Sequence, residues 1–205
     1  FAQKKCDFKT ILTSRALCAK INCRYVEGMV FVEDVMKSVN IFDKIKAAYR
    51  AGRPVEQVLN SIHAGNEDDT LLILFTSGSE KEPKGVQLTH RNITQNYESL
   101  IKAFSFSSDD IFLANLPYFH VFGQTANLWV PLSMGMTIVT YANPLDFKTI
   151  CEIVREEKVT LMAGTPTFFW GYLRNSKPGD FATARILLSG ADKCPDALRK
   201  GFTDK

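Results

Sequence analysis

The sequence lacks three features that would assign it to a simple class of protein. No apolar run approaches the ~18 residues that a membrane-spanning helix needs, and the first residues do not have the order of a secretory signal peptide. The 25 basic and 22 acidic residues nearly balance, without the basic stripe typical of nucleic-acid binding. We therefore expect no nucleic-acid partner, and membrane contact only through segments outside this chain.

Cysteine pairing is also missing. The five cysteines are an odd number and include no C-x-x-C pair, which argues against a disulfide framework and against a structural zinc site. They are Cys6, Cys18, Cys23, Cys151 and Cys194. We interpret them as incidental or buried reduced thiols, and we predict a cytoplasmic protein without metal-ligating residues of its own.

What the chain does have is enough apolar material for a substantial core. It has 205 residues, of which 45% are hydrophobic and 11% aromatic. Such a composition excludes disorder, and the length fits one large domain or part of a larger one. We find no internal repeat, low-complexity tract or Gly/Ser-rich linker.

Strand-type and helix-type patterns alternate along the chain. We predict strands over 8–12, 28–32, 71–75, 86–88, 111–114, 137–141, 160–163 and 185–188. Helices are predicted over 14–21, 41–49, 54–62, 90–104, 122–132 and 147–157, and after Pro166 and Pro195. Alternation indicates parallel βαβ units. The predicted fold is α/β, a parallel sheet flanked by helices on both faces, with the uninterrupted apolar run 71–75 as a strand covered on both sides.

Four polar loops follow predicted strands, at 76–85, 115–123, 164–167 and 189–193. In open parallel sheets, ligands bind beyond the carboxyl ends of the strands, so these loops are the candidate functional segments. The first carries three hydroxyls and a lysine around a flexible glycine, at Thr76, Ser77, Gly78, Ser79 and Lys84. Such groups suit the oxygens of a polyphosphate, although composition alone favours a polar surface turn.

The loop is not the common P-loop of nucleotide hydrolases, because Lys84 precedes Gly85 and an extended segment follows. Instead, Phe-Thr-Ser-Gly-Ser at 75–79, Pro-Lys-Gly-Val at 83–86 and Thr-His at 89–90 resemble the signature loop of the adenylate-forming acyl-CoA and acyl-carrier-protein synthetases. Leu-Pro-Tyr-Phe-His-Val-Phe-Gly at 116–123, Gly-Thr-Pro-Thr at 164–167 and Leu-Ser-Gly-Ala-Asp at 188–192 follow in the family's order. The chain is most similar to the acyl-carrier-protein synthetase half of bifunctional 2-acylglycerophosphoethanolamine acyltransferases.

The resemblance implies that a fatty acid reacts with ATP to form an acyl-adenylate, and that the acyl group passes to a thiol of acyl carrier protein or coenzyme A. It implies Mg²⁺ on the phosphates and a catalytic role for His120 and Lys84. Nucleotide contacts are implied for Thr76, Ser77, Gly78, Ser79, Lys84 and Gly85, and adenine contacts for Gly190 and Ala191. The implied acyl pocket consists of Phe119, Gly164, Thr165 and Phe168. Five aromatic residues would either line a tunnel that extends it or pack in the core: Phe119, Trp129, Phe168, Phe169 and Trp170.

Two departures from the family pattern matter. Lys81 stands where the family usually has a second glycine, which either strains the loop or adds a phosphate contact. The family's later motifs have no counterpart before Lys205. We therefore predict that residues 1–205 are a fragment of the large AMP-binding domain, with little activity in isolation. An upstream acyltransferase domain would place the full-length protein at the periphery of the inner membrane.

Two other functions compete with this one. In the first, Lys81 has compromised the phosphate loop, and the chain is a non-catalytic relative of the family that binds acyl groups or a partner. A hydrolase using Cys151 or Ser189 with His120 lacks the Gly-x-Ser-x-Gly nucleophile elbow, so we set it aside.

Overall fold

A computed structural model describes residues 1–62, 64–76 and 82–203. The chain divides into two compact units, one spanning residues 1–65 and the other residues 66–205. The predictions for Ser77, Gly78, Ser79 and Lys81 concern residues outside this described part. In the described part of the chain, no helix is both long enough and apolar enough to cross a bilayer.

The first unit contains a two-stranded parallel sheet, β1 (Ile11–Thr13) and β2 (Met29–Phe31), in which Ile11 pairs with Met29. Its helices are α1 (Ala2–Cys6), α2 (Arg15–Lys20), α3 (Val32–Ser38), α4 (Ile41–Ala51) and α5 (Val55–Leu59). The sequence sets some of these ends. The Ser14 hydroxyl accepts from Leu17 N at 3.0 Å and caps α2, as a serine before a helical run predicts.

Polar contacts tie this unit together. Arg15 donates two hydrogen bonds to the Asp34 carboxylate, at 2.9 and 2.7 Å, and its backbone N–H donates to Glu33 Oε1 at 2.8 Å. The Arg15 guanidinium also lies 4.3 Å from the centre of the Phe31 ring. None of the residues that the structure describes between 1 and 65 is buried. Interactions at the surface, rather than a core, therefore define this unit.

The second unit begins with a hairpin of β3 (Thr70–Phe75) and β4 (Gly85–Thr89), paired antiparallel with Phe75 opposite Gly85. The predicted strand 71–75 is confirmed, but the prediction that it is covered on both faces is wrong, because its apolar residues are only half-buried. The alternation rule also does not hold here. β3 and β4 follow one another in the chain and pair antiparallel, whereas a βαβ unit would pair them parallel.

The rest of the second unit is the predicted α/β fold. Four parallel strands, β5 (Ile111–Ala114), β6 (Thr137–Thr140), β7 (Leu161–Gly164) and β8 (Ile186–Ser189), form a sheet in the order β6-β5-β7-β8. The helices are α6 (His90–Ala103), α7 (Val121–Gln124), a π-helix (Thr125–Trp129), α8 (Val130–Met134), α9 (Phe147–Glu156), α10 (Pro166–Asn175) and α11 (Asp196–Thr203). Thr89 caps α6 as predicted, accepting from Asn92 N at 3.2 Å.

Alternate residues of the central strands enter two separate cores. Leu113 and Met162, which are register partners, pack with side chains of α9, α10 and α11. Phe112 and Leu161, the next pair, pack on the opposite face with Ala126 of the π-helix and residues of α8. All four strand residues are fully buried. Helices therefore cover both faces of the parallel sheet, as the sequence predicts.

An ion pair between Asp110 and Arg185 lies at the amino ends of the strands. The Asp110 carboxylate, buried just before β5, accepts from Arg185 Nε and from the Thr160 hydroxyl, both at 2.7 Å, and also from Arg185 Nη2. Burial by itself would raise the pKa of Asp110, but the hydrogen bonds from Arg185, Thr160 and Ser107 outweigh it and hold that pKa below its usual value. This end of the sheet is thus a structural junction.

Strand order identifies the functional edge. The chain leaves β5 toward β6 on one side and returns past it to β7 on the other. The loops that follow β5 and β7 therefore diverge at a topological switch point, where open α/β sheets bind ligands beyond the carboxyl ends of the strands.

Candidate active site

The loop that follows β5 is anchored by buried amides. Asn115 Nδ2 donates to the Tyr172 hydroxyl at 2.7 Å, and that hydroxyl donates to the Pro144 carbonyl at 3.0 Å. Burial raises the pKa of the Tyr172 phenol well above its usual value, so it stays protonated as this donor. Asn127 Nδ2, in the π-helix, donates to the Leu116 carbonyl at 3.2 Å. The loop is therefore held from both sides of the sheet.

His120 ends this loop and caps α7. Its Nδ1 accepts from Phe122 N at 3.2 Å, while its backbone N–H donates to the Pro117 carbonyl at 3.1 Å. Because Nδ1 is an acceptor, the proton of the neutral imidazole is on Nε2. The exposed His120 ring thus presents an N–H donor, which suits it to hydrogen-bond an oxygen anion.

Gly123 makes this turn possible. A Cβ at position 123 would lie 2.3 Å from the Pro117 carbonyl oxygen, far inside contact distance. The start of α7 therefore packs directly against the backbone of the loop, which only glycine permits. This glycine stands in the motif quoted above, but its role in placing His120 emerges only from the packing.

A cleft of about 620 Å³ joins the hairpin to this loop. Its lining includes Thr76 and Pro83 at the end of the hairpin and Phe119 and His120 from the loop. At the end of β3, Thr76 N donates to the Lys84 carbonyl at 2.9 Å, and Lys84 N donates to Thr76 Oγ1 at 3.3 Å. The structure thus brings together two loops that are more than thirty positions apart in the sequence.

Gly85 continues the ladder from this point. It pairs with Phe75, and a Cβ there would lie 3.2 Å from Cε1 of the Phe75 ring. Its contact with the nucleotide remains a prediction, as do the contacts of Thr76 and Lys84.

Gly190 and Ala191 follow β8 at the same edge of the sheet. Gly190 N donates to the Gly164 carbonyl at 3.0 Å, and a Cβ at position 190 would lie 2.9 Å from Cζ of the Phe122 ring. Ala191 has a positive φ of 66°, which costs a non-glycine residue energy. Within the chain, the absence of a Cβ at Gly190 makes room for Phe122, and the adenine contact of Gly190 remains a prediction.

A second cavity of about 350 Å³ lies behind Phe122 and is lined mainly by apolar side chains. Its lining includes Leu100, Phe106, Phe112, Val130, Leu188 and Gly190. Ser189 also lines it, and the buried Ser189 hydroxyl has no hydrogen-bond partner among the described atoms. The sequence did not single out Phe122, although it stands in one of the quoted motifs, and it named Ser189 only as a nucleophile of the competing hydrolase.

The predicted acyl-pocket residues are divided by the structure. Phe119 is 84% exposed and lines the cleft with His120. Thr165 caps α10, accepting from Phe168 N at 3.4 Å, and Phe168 packs between the two cores. A Cβ at Gly164 would lie 3.3 Å from the Phe169 ring. The tunnel of aromatic residues does not form in the described part of the chain, because Phe169 is buried among core rings and Trp129 lines a different cavity.

The fold and this edge define an α/β protein whose ligand crevice lies at a switch point. The chain belongs to the AMP-binding enzyme family, which matches residues 1–205. It is 28% identical over 170 residues to the feruloyl-CoA synthase of Amycolatopsis sp, which is 78% of this chain and 34% of that protein. It is 29% identical over 144 residues to 4-coumarate--CoA ligase 3 of Oryza sativa subsp. japonica, 67% of this chain and 26% of that protein.

Among solved structures, the chain is similar to O-succinylbenzoate Coenzyme A Synthetase (MenE) from Bacillus subtilis, in complex with ATP and magnesium ion. The match covers all of this chain and 39% of the MenE chain. The TM-score is 0.77 at 21% identity, so this likeness concerns the fold. The chain spans about a third or less of the length of the curated relatives it matches.

Proposed function

We propose that this chain is part of an acid–thiol ligase that activates a fatty acid with ATP. A carboxylate oxygen attacks the α-phosphorus, the bond to the leaving pyrophosphate breaks, and an acyl-adenylate forms. A thiol sulfur then attacks the acyl carbon, and AMP leaves. The observation that carries the proposal is the cleft in which Thr76, beside the candidate phosphate loop, faces the same space as His120.

The chemistry suits the residues in this cleft. The first step needs charge neutralisation and in-line positioning far more than it needs a protein nucleophile. The Nε2–H of His120 would hydrogen-bond the negative charge that develops between the carboxylate and the phosphate, while Lys84 and Thr76 would hold phosphate oxygens. Mg²⁺ prefers oxygen ligands, and when bound with ATP it would neutralise phosphate charge in the first step, beside Thr76 and Lys84.

The apolar cavity behind Phe122 supports a hydrocarbon chain as the substrate. Few polar groups line it, and burial of CH₂ groups is favourable by about 0.8 kcal/mol each. The acceptor is coenzyme A or acyl carrier protein. The names of the relatives favour coenzyme A, whereas the resemblance of the signature loop favours acyl carrier protein and, with it, a role in phospholipid metabolism near the membrane.

Acid-dependent exchange of pyrophosphate into ATP tests the proposal. The assay uses the natural polypeptide that carries this chain, because the matched relatives are much longer. We expect exchange with long-chain fatty acids, a fall of about 10²-fold or more in kcat for His120→Ala, and a comparable loss for Lys84→Ala. The matched control is Lys102→Ala, since Lys102 is an exposed lysine of α6, and it should exchange like the wild type.

Absence of exchange with every acid, together with absence of ATP binding, would refute the proposal and favour the non-catalytic relative. Binding of an ATP analogue that Lys84→Ala abolishes would exclude that alternative. The acceptor follows from the product, acyl-coenzyme A or acyl carrier protein, when both thiols compete at equal concentration. The cytoplasmic location and the low activity of residues 1–205 alone remain predictions.

A further inference from the structure

Helix α4 exposes a continuous apolar stripe. Its residues recur at helical spacing on one side of the helix, and each is largely exposed: Ile41 62%, Phe42 77%, Ile45 59% and Tyr49 67%. Contiguous exposed apolar surface of this kind marks an interaction site. The stripe lies in the first unit, which contains none of the residues proposed for catalysis.

The helix is already formed at its amino end. Asn40 Oδ1 accepts from Phe42 N at 2.8 Å and from Asp43 N at 3.1 Å, and Asp43 Oδ2 accepts from Asn40 N at 3.0 Å. This reciprocal capping box satisfies donors that a helix start otherwise leaves open. A partner would therefore meet the apolar stripe on a preformed helix, with less conformational entropy to lose on binding.

Basic side chains border the stripe. Between residues 40 and 53 there are four basic residues, Lys44, Lys46, Arg50 and Arg53, and one acidic residue. At 100° per residue, Lys46 lies ~40° beyond Phe42, and Lys44 lies ~60° from Ile41 on the other side. The Arg53 guanidinium sits 4.9 Å from the centre of the Tyr49 ring. An apolar stripe between lysines is typical of helices that lie on an anionic bilayer.

We propose that α4 docks on the surface of an anionic lipid bilayer. The apolar stripe would enter the boundary between headgroups and acyl chains, the lysine stems would extend along it, and their ammonium groups would reach lipid phosphates. Tyr49 with Arg53 would lie at headgroup level. From the sequence we expected membrane contact only through segments outside the chain, whereas α4 lies within it.

Vesicle flotation tests the inference with the full chain. The probes are vesicles of phosphatidylcholine alone and of phosphatidylcholine with phosphatidylglycerol at 7:3. We expect the chain to float with the anionic vesicles, to bind neutral ones at least tenfold more weakly, and to release in 0.5 M NaCl. Lys44→Glu with Lys46→Glu should weaken binding about tenfold or more. Phe42→Ser with Ile45→Ser should abolish it, even at low salt.

Matched controls separate α4 from general charge and apolarity. Lys9→Glu with Lys20→Glu changes the net charge equally on exposed lysines elsewhere in the first unit, and Leu145→Ser removes another exposed apolar side chain. Both controls should float like the wild type. Equal binding to neutral and anionic vesicles, or equal losses in the controls, would overturn the inference.

Competing occupants of the stripe also give distinct results. A second copy of the chain would appear as a dimer by sedimentation that Phe42→Ser with Ile45→Ser dissociates, without flotation of the wild type. Another part of the natural polypeptide would leave that longer protein insensitive to the same substitutions in flotation. Either result would refute docking on lipid.

Discussion

The two units of this chain are stabilised by different kinds of interaction. In the second unit, four parallel strands bury side chains on both faces, and Phe112, Leu113, Leu161 and Met162 are fully enclosed. Each such side chain contributes about 1.5–3 kcal/mol by burial. In the first unit, none of the residues that the structure describes is buried. The stabilising interactions described above are helix caps and the hydrogen bonds of Arg15.

This difference indicates where rigidity and interaction surface lie. A buried sheet fixes the ends of its strands, so the loop carrying His120 has a firm base. A unit whose apolar side chains face outward opens at low free energy and presents surfaces to partners. The predictions below test that contrast, beginning with the largest expected effect.

Removing a core side chain should damage the second unit far more than removing an exposed one damages the first. We expect Leu113→Ala to lower the free energy of unfolding by about 3 kcal/mol, since it leaves a cavity in a fully buried site. Leu12→Ala, at a position that is 67% exposed, should change it by less than about 0.5 kcal/mol. Far-ultraviolet circular dichroism in urea measures the comparison, because both units contain helices. Tryptophan fluorescence reports the second unit alone, where Trp129 and Trp170 lie.

An equal loss in the two variants would show that the units share one core, and the contrast would fail.

Breaking the junction at the amino ends of the strands should have the next largest effect. Arg185→Ala leaves the Asp110 carboxylate buried without its cation, which we expect to cost about 2 kcal/mol, since Arg185 itself is partly exposed. The folded state lowers the pKa of Asp110, so the stabilisation is present above its unfolded pKa of about 3.9. It is lost as the pH falls through the folded value.

The difference in unfolding free energy between wild type and Arg185→Ala should therefore be full above about pH 5 and shrink below about pH 4. Urea unfolding across this range measures it. The control is Arg199→Ala, which removes an ion pair with Asp196 that is exposed on both sides. If the two arginine variants behave alike, the junction adds nothing to the second unit.

The smallest effect is expected for Arg15→Ala in the first unit. Hydrogen bonds from Arg15 hold the pKa of Asp34 below its usual value, but the pair is exposed and salt screens it. We expect faster hydrogen exchange at backbone amides of residues 11–38, with an unchanged urea midpoint in the second unit. Arg24→Ala, another exposed arginine of the first unit, should leave exchange unchanged. A shift of the urea midpoint by Arg15→Ala would contradict the independence of the two units.

Much of the fold follows from local sequence. The predicted strand over 111–114 coincides with β5, and the caps at Ser14 and Thr89 form as expected. Hydrophobic periodicity and capping depend on neighbours in the chain, so one sequence is enough to predict them. The burial of β3 depends instead on residues distant in the sequence. An apolar run does not show which face of the strand those residues pack against.

The candidate site shows the same division. The motifs identified His120, Thr76 and Gly190, yet the hairpin is not part of the parallel sheet, so the rule about strand ends does not place Thr76 beside His120. The five aromatic residues predicted to line one tunnel are similar in type, but packing sends Phe169 into the core and leaves Phe119 exposed. Side-chain type indicates what a residue can contact, and only packing decides what it does contact.

The sequence by itself determined the order of strands and helices in the second unit, the family resemblance and the choice of candidate residues, because these depend on patterns along the chain. The tertiary structure alone decided that Phe122 closes over Gly190, that Gly123 lets His120 cap a helix, and that the stripe of α4 faces outward. Each of these is a contact, or the lack of one, between segments that folding brings together.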